Sequence, residues 1–401
     1  MKVLIADSFP QTGCSELQKL GCEVGIEPDL KGSSLSEALE RQQPDILIVR
    51  STKVQEEQFN AAKGLALVIR AGAGINTIDV TYASKRGVYV TNCPGKNSIA
   101  VAELAFAHIL AIDRHIVDGA NDLRQGKWNK KSYSKSSGLY GQTLGLIGLG
   151  QIGQEMITRA KGFGLRIVGW SPSLSREKAD LLGIEFAKSP ADVASKSDIL
   201  SVHLALTTDT KKMINESVLS KLKPGATFIN TSRGEIVDEA ALLKQVKERD
   251  IRAGLDVFAN EPAGGEGSLE STIFQIPGIV GSHHIGASTE QAQLAVADET
   301  VRIVRAFIQS GTVLNCVNLA TQTPAKHLLV IRHHDKVGVL AGILDKLRRA
   351  NINIEEMENK IFLGGDAACA RIQIVTAPDA SLLTEIQSQE HVIAVSLTAI
   401  R

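Results

Sequence analysis

The sequence predicts an α/β protein of two parallel-sheet lobes followed by a small C-terminal module, and three observations carry that prediction. Short apolar runs alternate with polar-faced helical stretches over residues 1–92 and again over 143–280. Three glycines, Gly148, Gly150 and Gly153, follow the apolar run 143–147 at the spacing of a tight strand-to-helix turn. Beyond a Thr- and Pro-containing tract at 318–324, strand and helix patterns recur in the order βαββαβ.

Bulk properties set the outer bounds. At 401 residues the chain is long enough for two or three domains. Lys and Arg number 44, as do Asp and Glu, so no net charge favours nucleic acid or an anionic membrane, and neither is expected as a partner. Cys14, Cys22, Cys93, Cys316 and Cys369 are scattered without CxxC spacing, which predicts reduced thiols, a cytoplasmic location and no metal site. The first seven residues read as a strand, their apolar run being too short for a signal peptide. The apolar stretch 100–112 contains Glu103 and His108, so no membrane span is predicted.

In the first lobe, strands are expected at 3–6, 46–49, 67–69 and 88–90. Two of them end in basic loops, Arg50-Ser51-Thr52-Lys53 and Arg70-Ala71-Gly72-Ala73-Gly74-Ile75-Asn76. Open α/β sheets bind ligands at the carboxyl ends of their strands. Arg50, Lys53 or Arg70 can pair with an anionic substrate there, and the glycines can turn backbone N–H groups toward a carboxylate. Solvated charges on an ordinary turn are the alternative.

Residues 97–115 have helical spacing and link the two lobes. After them, 118–140 turns polar and basic around Trp128, a subunit contact or a plain loop anchor. The 148–153 turn reads as a Rossmann-like dinucleotide site. Gly148 makes the tight turn, Gly150 lets a pyrophosphate near the backbone, and Gly153 permits close helix packing. Further strands are expected at 199–203, 227–230, 253–257 and 278–280, with a helix at 238–248 that Asp238 caps and a long one at 288–309 that Gly311 ends. The last module places strands at 328–331, 353–356, 370–375 and 393–397 around helices at 339–350 and 379–387.

Arg233, Glu261 and His284 each follow a strand of the second lobe. Moving hydride between a secondary alcohol and a nicotinamide requires a group to take or return the hydroxyl proton, and imidazole titrates near working pH. A carboxylate beside it orients the ring, and an arginine polarises the carbonyl and clamps an α-carboxylate.

With these motifs the chain resembles the D-isomer-specific 2-hydroxyacid dehydrogenases, most closely their phosphoglycerate-oxidising branch with a C-terminal ACT domain. The resemblance spans nearly the whole chain and rests on the Gly148 turn, 230–238, 256–262 and His284-Ile-Gly-Ala-Ser288. It implies two lobes, flavodoxin-like and Rossmann-like: a discontinuous substrate domain, 1–95 with 287–317, and a dinucleotide-binding domain, 96–286. A linker at 318–325 and an ACT-like regulatory domain at 326–401 would follow. It implies Arg233, Glu261 and His284 as the catalytic set, and substrate contacts from Arg50, Ser51, Lys53, Arg70, Gly72, Ala73, Gly74 and Asn97. Cofactor contacts would come from Gly148, Gly150, Gln151, Ile152, Gly153, Ser171, His203, Thr208, Thr231, Arg233 and Asp256, with Asp256 on the nicotinamide carboxamide.

The expected reaction is oxidation of D-3-phosphoglycerate to 3-phosphohydroxypyruvate, opening serine biosynthesis, in a homodimer or homotetramer. The alternatives are another 2-hydroxy acid or 2-oxo acid, such as hydroxypyruvate, glyoxylate or 2-oxoglutarate, or a non-catalytic NAD-sensing corepressor. Departures from the family pattern matter. Ser171 stands where a ribose-binding Asp is usual, so NADP joins NAD as an expected cofactor, with Ser173 and Arg176 able to meet a 2′-phosphate. His283 replaces a common Pro before the catalytic histidine, and Ala205 another Pro. In the last module, Asp335-Lys336-Val337-Gly338-Val339-Leu340 carries Val where Pro is usual, and His333, Asp335 and Asn353 occupy the positions of an L-serine effector site. A module that only dimerises is the other reading.

Overall fold

The computed structural model describes residues 1–262, 267 and 272–400 and divides the chain into two compact units, Met1–Asn318 and Leu319–Arg401. The first unit contains two parallel sheets. Strands β1 (Lys2–Ile5), β2 (Glu23–Ile26), β3 (Ile46–Val49), β4 (Leu67–Arg70) and β5 (Tyr89–Asn92) lie in the order β2-β1-β3-β4-β5, the flavodoxin-like arrangement. Strands β6 (Thr143–Ile147), β7 (Arg166–Trp170), β8 (Glu185–Phe186), β9 (Ile199–Val202), β10 (Thr227–Asn230), β11 (Arg252–Leu255) and β12 (Ile279–Gly281) lie in the order β12-β11-β10-β9-β6-β7-β8. This is the doubly wound order whose direction reverses between β6 and β9.

The central strands are apolar on both faces because helices cover both. Every residue of β3 and β6 is buried. Edge strands β2 and β8 escaped the sequence reading for the complementary reason: they carry Glu23, Gly25 and Glu185 and keep no buried residue. Helix Ser98–Asp113 carries the chain from the first lobe to the second, burying Ala102, Ala105, Phe106 and Ile109 in one core with Leu144, Leu146 and Ile229. The return crossover leads into helix Glu290–Ser310, capped by Thr289 and closed by Gly311 in the left-handed region. Its Val301, Ile303 and Val304 pack with Val3, Ile5, Ile46 and Ile69, so the chain after the second sheet completes the first lobe. Asn318 stays with this unit, its amide donating to the Val88 carbonyl and its oxygen accepting from Val90 N–H.

The second unit is an antiparallel sheet in the order β14-β15-β13-β16, from β13 (His327–His334), β14 (Ile354–Ile361), β15 (Ala367–Ile374) and β16 (Val392–Ala399). Helices Val339–Arg349 and Ala380–Gln387 cover one face, burying Ile343, Leu347 and Ile386 against Leu329, Ile331 and Ile372. The strands run longer than the apolar runs suggested, because β14 is an edge strand whose outer residues are polar. No helix among the described residues is long and apolar enough to cross a membrane.

Candidate functional site

The glycine turn sits where the second sheet reverses direction. Gly148 has φ +98° and donates its N–H to the Trp170 carbonyl, and a side chain there would collide with the carbonyl of His203. Gly153 packs against the Gly148 carbonyl with no room for a Cβ, whereas the space beside Gly150 is open. Helix Gln151–Gly162 starts at this point, so its unpaired N–H groups and dipole face the opening. Ile152 lies in its first turn, and Gln151 reaches the first-lobe loop at Gly95.

Two buried polar atoms at the ends of neighbouring strands face no protein partner: Nδ1 of His203, whose carbonyl lies against Gly148, and Oγ1 of Thr231 after β10. Orphaned groups of that kind fit a polar ligand. The His203 ring is anchored through Nε2 to Ser201 Oγ at 2.9 Å, and burial pushes its pKa down to about 4, so it is a neutral group. Ser171 closes β7 in a half-buried turn, its carbonyl accepting from Leu174 N–H, while the Arg176 guanidinium lies 5.2 Å over the Phe186 ring. Thr208 is exposed on the loop after β9.

The proposed acid/base group forms a close pair. His284 Nδ1 lies 2.6 Å from Glu261 Oε2, and Glu261 Oε1 accepts from Phe258 N–H at 2.9 Å. With Nδ1 occupied, Nε2 is the nitrogen turned to other partners. Burial alone would raise the Glu261 pKa. The His284 hydrogen bond, the Phe258 N–H and the charges of His284 and Arg233 outweigh it and hold the carboxyl below its usual range. His284 has φ +53°, a left-handed backbone that a side chain adopts only when its surroundings impose it. Asp256 imposes it. Its carbonyl accepts from His284 N–H, Oδ1 accepts from Ser282 Oγ at 2.6 Å and Ile285 N–H at 2.9 Å, and Oδ2 accepts from Gly286 N–H at 2.9 Å. At 1% exposure, Asp256 thus holds the His284 loop from within.

Arg233 follows β10 on a loop shaped by buried Asn230, whose oxygen accepts from Ser232 N–H and Oγ and whose amide donates to the Arg233 carbonyl. Gly234 lies against the Phe258 backbone with no room for a side chain, which brings the Arg233 loop against the Glu261 loop. Arg233 also reaches the first lobe: a Cβ on Gly74 would stand 2.5 Å from its Nη2. Arg70 tucks under Gly72, and its Nε has no hydrogen-bond partner. Its pKa is pushed down to about 10 by burial first, then by the charges of Arg233 and Arg50. Among the described residues none of Arg50, Lys53, Arg70 and Arg233 forms an ion pair. Asp7 and Glu261 act on this cluster electrostatically, but neither pairs with its guanidinium groups, which leaves an anion-sized demand unmet.

Sequence reasoning missed the group that builds the Arg50 loop. Asp7, at the end of β1, accepts from the N–H groups of Arg50, Ser51 and Thr52 and from Ser51 Oγ at 2.7 Å. The signal was its place beyond the first strand, beside the point where the first sheet reverses. Lys53 is exposed next to this loop, and Ala73 accepts from the Asn92 amide. Asn97 caps helix Ser98–Asp113 by position, without a side-chain cap bond.

In the C-terminal unit the three suggested effector residues are not brought together. Alternation along β13 turns His333 to the helix-covered face with Leu329 and Ile331, so it is buried. Its Nδ1 meets the His334 carbonyl at 2.8 Å and its Nε2 meets Asn359 Oδ1 at 3.2 Å. Asp335 and Asn353 are exposed, and the Asn353 amide donates to Glu355.

Residues 106–286 match the family model described as D-isomer specific 2-hydroxyacid dehydrogenase, NAD binding domain. The glyoxylate reductase of Thermococcus litoralis is 36% identical over 326 residues, 79% of this chain and 96% of that protein. The D-3-phosphoglycerate dehydrogenase of Methanocaldococcus jannaschii is 35% identical over 321 residues, 80% of this chain and 60% of that protein. The chain thus spans about three fifths of the length of the curated D-3-phosphoglycerate dehydrogenases it matches. An NAD+-bound 3-phosphoglycerate dehydrogenase from Entamoeba histolytica superposes with a TM-score of 0.66 at 27% identity, covering 80% of this chain and 99% of that one. The chain belongs to the D-isomer-specific 2-hydroxyacid dehydrogenases.

Proposed function

We propose that this chain is a nicotinamide-dependent D-2-hydroxyacid dehydrogenase acting on a phosphorylated substrate, D-3-phosphoglycerate. The observation that carries the reading is the His284–Glu261 pair at 2.6 Å beside arginines from both lobes that form no ion pair. A bound nicotinamide supplies the hydride acceptor. Gly148, Gly150, Gly153, His203, Thr231 and Asp256 would hold that group, for which the open Gly150 backbone and the two orphaned polar atoms are the matching features. His284 Nε2 takes the hydroxyl proton as the C–H hydride leaves, and Glu261 stabilises the resulting imidazolium through Nδ1. Arg233 polarises the oxygen that becomes the carbonyl and clamps the α-carboxylate. Arg50, Arg70 and Lys53 take the phosphate.

NAD is the proposed cofactor, since no arginine directly follows β7 and Arg176 is engaged over Phe186; Ser171 leaves NADP the competitor. Reduction of glyoxylate is the second reading, favoured by the 96% coverage of the Thermococcus enzyme. Exposed Ile116, Val117, Leu123 and Trp128 on and after helix Ile116–Arg124 support at least a dimer. The βαββαβ unit supports an ACT-type regulatory role with L-serine as effector at a subunit interface, where Asp335 of one chain would meet Asn353 of another, since the two do not meet within one chain. Loss of inhibition in Asn353→Ala at millimolar L-serine tests that part. The main test is absorbance at the nicotinamide band with 3-phosphohydroxypyruvate, hydroxypyruvate, glyoxylate and 2-oxoglutarate, each with NADH and NADPH. Fastest turnover of the phosphorylated acid with NADH supports the proposal, and preference for glyoxylate or NADPH overturns its substrate or its cofactor.

A further inference from the structure

Behind the His284 loop a buried polar chain runs back from Asp256 to two residues that the reaction itself does not use. His108, in the middle of helix Ser98–Asp113, is 4% exposed, and its Nε2 lies 2.9 Å from Ser282 Oγ, a residue 174 positions away in sequence. Ser282 Oγ donates in turn to Asp256 Oδ1 at 2.6 Å. The same carboxylate receives the N–H groups of Ile285 and Gly286, which flank the bend after His284. Space is made for the ring: a Cβ on Gly254 would stand 2.8 Å from His108 Cβ.

The proton count along the chain is determined. Asp256 accepts at both carboxylate oxygens, from Ser282 Oγ, Ile285 N–H and Gly286 N–H. The single hydroxyl hydrogen of Ser282 points to Asp256, so Ser282 Oγ can only accept from His108, which therefore carries its proton on Nε2. Burial holds the His108 pKa below its usual value against the opposing charge of Asp256, in keeping with a neutral ring. Helix Ser98–Asp113 lies in the first crossover between the lobes, and the His284 loop leads into the second. One chain of hydrogen bonds therefore ties both crossovers to the loop that bears the imidazole.

We infer that His108 is a positioning residue: by donating through Ser282 to Asp256 it fixes the 282–286 backbone and so the direction in which His284 presents Nε2. This deepens the dehydrogenase reading and rests on it for the catalytic consequence, but the structural part can be measured without turnover. Hydrogen exchange of the full-length protein reports the Ile285 and Gly286 amides, and steady-state reduction of 3-phosphohydroxypyruvate by NADH reports the consequence. In His108→Ala those amides exchange about tenfold faster and kcat falls about tenfold, while KM for NADH stays within about twofold. Ser282→Ala, which removes one oxygen and leaves no large cavity, shows the same pattern should His108→Ala fail to fold. His108→Gln restores both readouts in large part, because its amide can donate to Ser282. Unchanged amide exchange in both alanine variants overturns the inference, as does faster exchange with wild-type kcat. A wild-type protein that turns over none of the four oxo acids refutes the dehydrogenase reading while the exchange result still decides the tether.

Discussion

Replacing Glu261 by Gln isolates the charge in the His284 pair from its geometry. The amide oxygen can still accept from Nδ1, so the ring keeps its orientation, but the imidazolium that forms when the substrate proton arrives loses its carboxylate. Two unit charges about 4 Å apart attract by about 1 kcal/mol in water and about 4 kcal/mol at the screening typical near a protein surface. The His284 and Glu261 side chains are 46% and 31% exposed, which puts this pair between those limits, at about 2 kcal/mol. Spent on the transition state, that is about a 30-fold fall in kcat. The assay is NAD+ reduction with saturating D-3-phosphoglycerate at neutral pH, the direction in which the imidazolium forms, alongside cofactor binding followed by NADH fluorescence, which should be unaffected. Since the Glu261 pKa is depressed in the folded protein, its charge is fully in place above the ordinary carboxylate range and is lost only as pH falls through the lowered value. The gap between the wild type and Glu261→Gln should therefore hold at neutral pH and close in acid. A Glu261→Gln enzyme within about threefold of the wild-type kcat at neutral pH would refute the reasoning.

Arg70→Met removes a buried guanidinium with an unpartnered Nε. Thermal unfolding should rise or stay level, and KM for the phosphorylated oxo acid should increase about 10- to 100-fold with little change for glyoxylate; equal losses on both acids would remove Arg70 from the phosphate site. Asp7→Ala strips four donors of the 50–52 loop of their acceptor and should cost about 2 kcal/mol in urea unfolding as well as raising KM, so an unchanged midpoint would show that the loop holds without it. Glu299, 4% exposed, is bonded to Arg302, Asn315 and Lys96, which bring its pKa down to about 2. The full shift is worth about 3 kcal/mol, and allowing for the exposed partners about 2 kcal/mol. That stability is present above the ordinary carboxylate pKa and is lost as pH falls toward 2, so Glu299→Gln should lower the melting temperature at pH 7 and converge with the wild type in strong acid. Parallel curves at all pH values would contradict the assignment.

How much of this was legible in the sequence depended on the range of the interaction concerned. Strands buried on both faces announce themselves as unbroken apolar runs, and the Gly148 turn carries its own steric reason. Arg233, Glu261 and His284 were readable because each follows a strand of one sheet, and such ends converge. Edge strands β2 and β8 were not readable, since little apolar surface is buried there. Asp7 was one carboxylate among 44 until the pairing of β1 with β3 set it beside the Arg50 loop. The same limit applied to Ser282, whose partner lies in a helix far upstream, and to His333, whose inward direction follows from the register of β13 with β15.

The central claim is that His284, held by Glu261 and faced by arginines of both lobes, moves the proton of a phosphorylated 2-hydroxy acid. Its most direct measurement is single-turnover reduction of 3-phosphohydroxypyruvate by bound NADH, in the wild type and in His284→Asn. The account predicts rapid loss of nicotinamide absorbance in the wild type and a rate at least about a hundredfold lower in the variant, with NADH bound equally well by both. Equal rates in the two proteins, or no reduction by the wild type, would contradict it.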